Sequence, residues 1–308
     1  MTTANPQGST ATISAGGYTA TIAQVGANLA ELTGPSGRAL VLPSPATAMR
    51  EAACGAVLAP WPNRLEAGRY TWRGETYQVP IDEVERNNAN HGLVLWQRWT
   101  FQDDAAAAES SQSITAVLDL VPTPGYPFAL RLEATYTVSA RGLETQIRAS
   151  NRAQEPAPYA LGAHPYLLAA GEPETPGAID SWTFEAPVST VLETNENLIP
   201  TGESELPEDL DLSAGVPLVG RDFDHAFGGI RHAESGETTA YLRSETGGVG
   251  LAFGPEVKWL QVYSDGPQRR GLAVEPMTSP ANAFNTGRDL ITLEPGASHT
   301  ASWRIFEL

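Results

Sequence analysis

One histidine in this chain sits where chemistry could use it. His164 lies in the segment YALGAHPYLL, residues 159–168, held between Ala163 and Pro165 in small apolar surroundings. An imidazole placed like this either packs, satisfied by one backbone carbonyl and one donor, or is aimed at something, since it can hold or release a proton near neutrality. Two other segments set polar residues in a tight Pro/Gly/Asn frame. One is Pro60-Trp61-Pro62-Asn63-Arg64 with Asn90-His91-Gly92 downstream; the other is Glu275-Pro276 with Ser279 to Phe284 after it. Three such frames suggest one assembled site. Glu275 is the carboxylate to set beside His164, because the run Leu272-Ala273-Val274 would hold its backbone, Pro276 stiffens its exit, and an enclosed glutamate can act as general base with a modest upward shift. The competing reading is a strand-end carboxylate paired with Arg269 or Arg270.

Absences narrow the chemistry. The chain has no G-x-S-x-G elbow, no H-E-x-x-H, no cysteine knuckle and no glycine fingerprint in a βαβ context. His91, His164, His225 and His232 show no metal-ligand spacing, and His232 and His299 read as surface or cross-strand residues. No metal and no cofactor are therefore expected. Cys54 is the single cysteine, so no intrachain disulfide framework exists and a reducing compartment fits. With 19 basic against 36 acidic residues the net charge is −17, which repels phosphate backbones and anionic lipid and speaks against nucleic acid as a partner. Lys258 is the only lysine, and residues 153–220 contain no lysine or arginine. The first residues lack a basic and apolar leader pattern, and no apolar run approaches the ~18 residues of a membrane span. The expected location is cytoplasmic.

The elements that must position these residues are strands. Leu130, Leu132, Ala134, Tyr136 and Val138 alternate with polar residues, and after Ser139-Ala140-Arg141-Gly142 the alternation restarts at Leu143, Thr145, Ile147 and Ala149. That is an antiparallel hairpin with one wet face. Shorter strands are expected around Tyr18 to Val25, at 68–72 and 76–79 flanking Arg73-Gly74-Glu75, at Leu93 to Phe101, Ile114 to Leu120, Trp259 to Tyr263, Leu272 to Glu275 and His299 to Phe306. Residues 1–10 read as a frayed tail, Met49 to Ala53 as one helical turn, Asp103 to Gln112 as an exposed hairpin loop, and 193–221 as excursions over a sheet or a lid. With no amphipathic helix of normal length and no linker, the expectation is one all-β domain over 1–308, two large antiparallel sheets packed face to face with few short helices.

Read together, PWPNRL (60–65), GRYTWRGETYQVP (68–80), NNANHGLV (87–94), GAHPYL (162–167), DHAF (224–227) and VEPMTSPANAFNTG (274–287) resemble the aldose 1-epimerase (galactose mutarotase) family. The resemblance implies the β-supersandwich fold, with an open cleft over one sheet. By it His164 matches the family's general acid and Glu275 its general base, while Arg64, His91 and Asp224 match substrate-holding positions. The implied reaction interconverts the α and β anomers of a free aldohexose such as glucose or galactose, acting on a monosaccharide without cofactor. The sequence leaves the oligomeric state open between a monomer and a weak homodimer. Trp61, Trp96, Trp99, Trp259 and Tyr263 are candidates to stack on sugar C–H faces, with core packing as the competing fate of each. The chain departs from the family pattern before Arg64, at Pro60 to Asn63, and after Tyr166, at Leu167-Leu168; these leave the proton carriers alone and bear on which sugar fits. The rivals are a hexose-6-phosphate mutarotase with a phosphate seat at Arg69, Arg86 or Arg269, a sugar-binding protein without catalysis, and a polysaccharide lyase or hydrolase with a longer cleft.

Overall fold

The computed structural model describes residues 5–102, 107–108, 110–173, 175–234 and 236–308. Its frame is the alternating hairpin. Leu130–Ser139 pairs with Gly142–Asn151 across its length, Leu130, Leu132, Ala134, Tyr136 and Val138 turn inward, and their polar neighbours face outward. Ser111–Leu120 adds on one side and Ser298–Glu307 on the other, followed by Gly248–Phe253, Thr238–Arg243 and Thr183–Glu185. With Thr100–Phe101 and Ala107–Ala108 on Ser111–Leu120 and Val216–Pro217 beyond Thr183–Glu185, this makes, among the described residues, a ten-stranded antiparallel sheet. A second, eight-stranded sheet runs in the order Pro200–Glu205, Thr190–Thr194, Asp224–Gly228, Trp259–Tyr263, Leu272–Met277, Gly162–Ala163, Val57–Leu58, with Tyr166–Leu167 also on Leu272–Met277. One large buried apolar cluster joins residues of both sheets, from Leu132 and Trp303 to Phe227, Leu260 and Val274. The architecture is the expected all-β one of large antiparallel sheets, with one short α-helix, Ala283–Thr286, and three 3-10 turns among the described residues.

Leu272–Met277 is buried on both faces and is the strand around which the site forms. Val274 belongs to the large apolar cluster, while Met277 lies in a small satellite with Leu192, Ala226 and Trp259 on the opposite face. Side chains alternate along a strand, so Glu275 shares the face of Met277 and not that of Val274.

Several expectations need correction. The tail is shorter than residues 1–10: residues 1–4 lie outside the described residues, but Gln7 is buried, donates to Ser44 and Pro45 and accepts from Asn28, and a strand starts at Thr10. Met49 to Ala53 is not helical, because Ala52 takes a left-handed conformation and the segment closes as turns. Leu93 to Phe101 is a strand only at Thr100–Phe101. The reason lies at Ala59, whose carbonyl accepts both Leu93 N (2.7 Å) and Val94 N (3.2 Å) and folds the chain back. Gly92 makes that approach possible: its φ is +79°, and a Cβ there would stand 2.1 Å from the Ala59 oxygen. Of the 103–112 loop, residues 103–106 and 109 lie outside the described residues, and Ala107–Ala108 pairs with Gln112 and Ser111.

Candidate active site

Strand register assembles the floor of the site. Asp224 pairs with Tyr263, Gln261 with Glu275, and Tyr263 with Ala273, so all of these side chains share one face of three neighbouring strands. On the far side of Leu272–Met277, Gly162 pairs with Met277 and Tyr166 with Ala273, which is one unbroken antiparallel register. Within it His164 falls directly across from Glu275, and the two meet: His164 Nε2 is 3.2 Å from Glu275 Oε1. The His164 backbone is fixed independently, its N–H donating to Ala56 O (3.1 Å) and its carbonyl accepting from Gly55 N (2.8 Å). Tyr166 stacks on the imidazole at 5.0 Å between ring centroids, and His91 meets it edge-on at 5.3 Å.

The rim comes from a separate two-stranded ribbon, Arg64–Glu66 with Asn88–Asn90, in which Arg64 pairs with Asn90. Left-handed Asn282 locks the ribbon to the segment after Glu275, since its N–H donates to Arg64 O (2.6 Å) and its Oδ1 accepts from Glu66 N (3.2 Å). This is the structural meaning of Asn282 in the 274–287 motif. Asn63 and His91 clasp each other: His91 N donates to Asn63 O (2.9 Å), and Asn63 N donates to His91 Nδ1 (3.2 Å). A ring nitrogen that accepts carries no proton, so His91 is the Nε2–H tautomer and offers a donor to whatever enters the cleft.

Arg64, His91, His164, Asp224 and Glu275 thus line one open cleft of about 500 Å³. All five residues singled out from the sequence come together. Glu275 does not pair with Arg269 or Arg270, which are held by Asp180 and Asp222, and by Asp265 and Glu51. Trp61, Trp99 and Trp259 are buried in packing, whereas Trp96 is 51% exposed on the cleft lip with the Arg50 guanidinium 4.6 Å from its ring centre, and Tyr263 also faces the cleft. Sequence reasoning missed Gln261, which donates to Asp224 Oδ1 at 2.7 Å, and Glu83, which grips Arg64 through both Nε (3.0 Å) and Nη2 (3.1 Å). Alternation along Trp259–Tyr263 could have put Gln261 on the wet face; nothing local distinguished Glu83 among the 36 acidic residues.

The electrostatics of the floor favour neutrality. Burial, then the nearby Asp224 charge, raise the Glu275 carboxyl well above the usual range, with Arg64 opposing. Burial also pushes His164 far below an ordinary imidazole, and Arg64 and Arg50 push the same way. Burial, with His164 and Arg64 beside it, lowers His91. Desolvation disfavours the charged form of either group and so favours a neutral imidazole beside a carboxylic acid. His164 Nδ1 and Glu275 Oε2 are buried with no protein partner. Unsatisfied buried polar atoms are costly, and here they lie beside a polar cleft.

The fold is that of galactose mutarotase-like proteins. A galactose mutarotase-like protein from Clostridium acetobutylicum superposes with a TM-score of 0.85 over 96% of this chain and 94% of that one at 21% identity, and galactose 1-epimerase from Lactobacillus acidophilus with 0.77 over 95% and 92% at 19%. The family model for aldose 1-epimerase matches residues 9–305, and the chain belongs to that family. It is 37% identical over 309 residues to the uncharacterized Escherichia coli K12 protein YihR, spanning 99% of this chain and 96% of the relative, and 28% identical over 282 residues to mouse galactose mutarotase, spanning 82% and 79%.

Proposed function

We propose that the chain is an aldose 1-epimerase that interconverts the anomers of a free aldohexose by acid/base ring opening and closure. The observation that carries this reading is the 3.2 Å contact between His164 and Glu275 on the floor of a cleft also lined by Arg64, His91 and Asp224. A cyclic hemiacetal carries O1 and O5 on the same carbon, so a proton donor and acceptor this close can serve both. Transfer of the shared proton to His164 leaves imidazolium and carboxylate. Glu275 then takes the O1 proton, the electron pair of the O1–H bond becomes the carbonyl, the C1–O5 bond breaks, and His164 protonates O5. Rotation about C1–C2 presents the other face, and the steps reverse. The neutral resting pair is the protonation state reached when the ring is open, so it is already set for closure. Each positioned proton transfer contributes roughly 10² to 10⁴ in rate.

The test is polarimetry or NMR exchange on fresh glucose and galactose, with His164→Ala and Glu275→Ala beside the parent. Acceleration by the parent and its loss in both variants is expected. A parent that binds sugar without accelerating exchange would instead be a non-catalytic sugar binder. One observation favours a second substrate reading, a phosphorylated hexose: of Arg69, Arg86 and Arg269, Arg86 lines the cleft, 40% exposed, with its ion pair to Glu83. Competition by glucose 6-phosphate against glucose separates the two.

A further inference from the structure

We infer that Glu83 is a positioning residue that sets the direction of the Arg64 guanidinium and, through Asn88, ties the turn at 195–199 to it. The inference rests on the proposed role of this cleft as a sugar site. The loop that carries Glu83 is built for this. The 3-10 turn Val84–Arg86 and the left-handed Asn87 fold the chain back so that Asp82 N and Glu83 N reach Asn88 O, and Asn88 N reaches Glu83 O. The Glu83 carboxylate then collects four groups: Arg64 Nε and Nη2, Arg86 Nη1 at 3.2 Å and Asn88 Nδ2 at 2.9 Å. Asn88 Nδ2 also donates to Asn197 O at 2.8 Å. That carbonyl is presented by a stiff turn, in which Asn195 Oδ1 accepts from both Asn197 N and Ile199 N at 3.0 Å.

A paired carboxylate and guanidinium that are mostly buried, 16% and 12% exposed, are weak grounds for stability, because desolvation offsets the attraction. What a two-pronged contact does fix is orientation. With its Nε–Nη2 edge occupied, Arg64 can turn neither about its long stem nor out of plane, and its remaining donors point to Asn63 Oδ1 (3.5 Å), to Asp224 Oδ2 (3.6 Å) and into the cleft. Glu83 also lines the cleft, and in this arrangement it acts on the sugar through the guanidinium it orients.

The experiment measures KM and kcat for glucose and galactose mutarotation, and the Kd of both sugars by calorimetry, in Glu83→Gln, Asn88→Ala, Arg64→Ala and the Arg64→Ala/Glu83→Gln double variant. Glu83→Gln is expected to raise KM and Kd about 10-fold with kcat within about 3-fold of the parent, the signature of lost binding, and Asn88→Ala to raise them about 3-fold. The double variant should match Arg64→Ala alone, because a residue that works through Arg64 has nothing left to position. Glu83→Gln with parental constants, or a double variant whose losses multiply, overturns the inference. Should Glu83→Gln fail to fold, Glu83→Asp in its place keeps the charge but not the reach, and must show the same KM rise and the same non-additivity. A parent that binds sugar without turnover ends the mutarotase reading, while the Kd series still decides Glu83; a parent that does neither overturns both.

Discussion

Two carboxylates in the cleft each touch a nitrogen base at nearly the same distance, Glu275 to His164 at 3.2 Å and Glu83 to Arg64 at 3.0 Å, and their charge states run in opposite directions. Burial raises both carboxyls. At Glu83 that effect is outweighed by hydrogen bonds from Arg64 and Asn88 and by the charges of Arg64 and Arg86, so the carboxyl falls below its ordinary value. At Glu275 only the more distant Arg64 opposes it, and the carboxyl climbs. Distance to one partner therefore does not decide ionisation. The number of donors and the access to water do, and they separate a contact that can exchange a proton from one that can only hold a direction.

The comparison can be broken at either end. The largest effect is expected at the proton-exchanging contact, where Glu275→Gln or His164→Asn should each lower kcat by about 10² to 10⁴, with the double variant little worse than either, read by exchange NMR. Next, Asp224→Asn removes the charge that faces Arg64 and accepts from Gln261, and kcat/KM should fall about 10- to 100-fold, mostly through KM.

The proposed mechanism keeps one proton on the pair, so kcat/KM should hold through mild acid and fall as pH rises through the elevated Glu275 value. Stability runs the same way: the unfolded carboxyl ionises near the ordinary value of ~4.5 while the folded one stays protonated, so Glu275 costs stability increasingly as pH rises above that point. Glu275→Gln should therefore unfold at higher temperature than the parent at pH 8 and by a smaller margin at pH 5, in calorimetry. The smallest effect is expected at the lip, where Trp96→Ala should raise KM about 2- to 5-fold and leave the melting temperature close to parental.

Much of this was legible beforehand, for reasons that differ by region. The hairpin of Leu130–Ser139 and Gly142–Asn151 could be read residue by residue because one wet face enforces strict alternation. Leu272–Met277 carries no such pattern, being buried on both faces, yet the apolar run Leu272-Ala273-Val274 still marked it, while Pro276, read as its exit, lies inside the strand. The stretch after Gly92 misled because its composition, with Trp96 and Trp99, suits a strand, whereas a tertiary contact to the Ala59 carbonyl folds it into turns. The tail misled in the opposite sense: small polar residues conceal Gln7, whose amide fills a buried polar niche made by Asn28, Ser44 and Pro45, 21 to 38 positions away.

By itself the sequence determined the class of architecture and the types of groups available for proton exchange, since alternation, turn residues and the frames around Arg64, His91, His164 and Glu275 are local and written in order along the chain. Only the tertiary structure decided what those groups are. The register that lays His164 opposite Glu275 joins strands more than 100 residues apart, and the depth at which they meet favours the neutral form of each. Glu83, one acidic residue among 36, takes its place because four donors converge on it in space. Ionisation depends on solvent access and on the sum of nearby partners, and both are properties of the packed molecule.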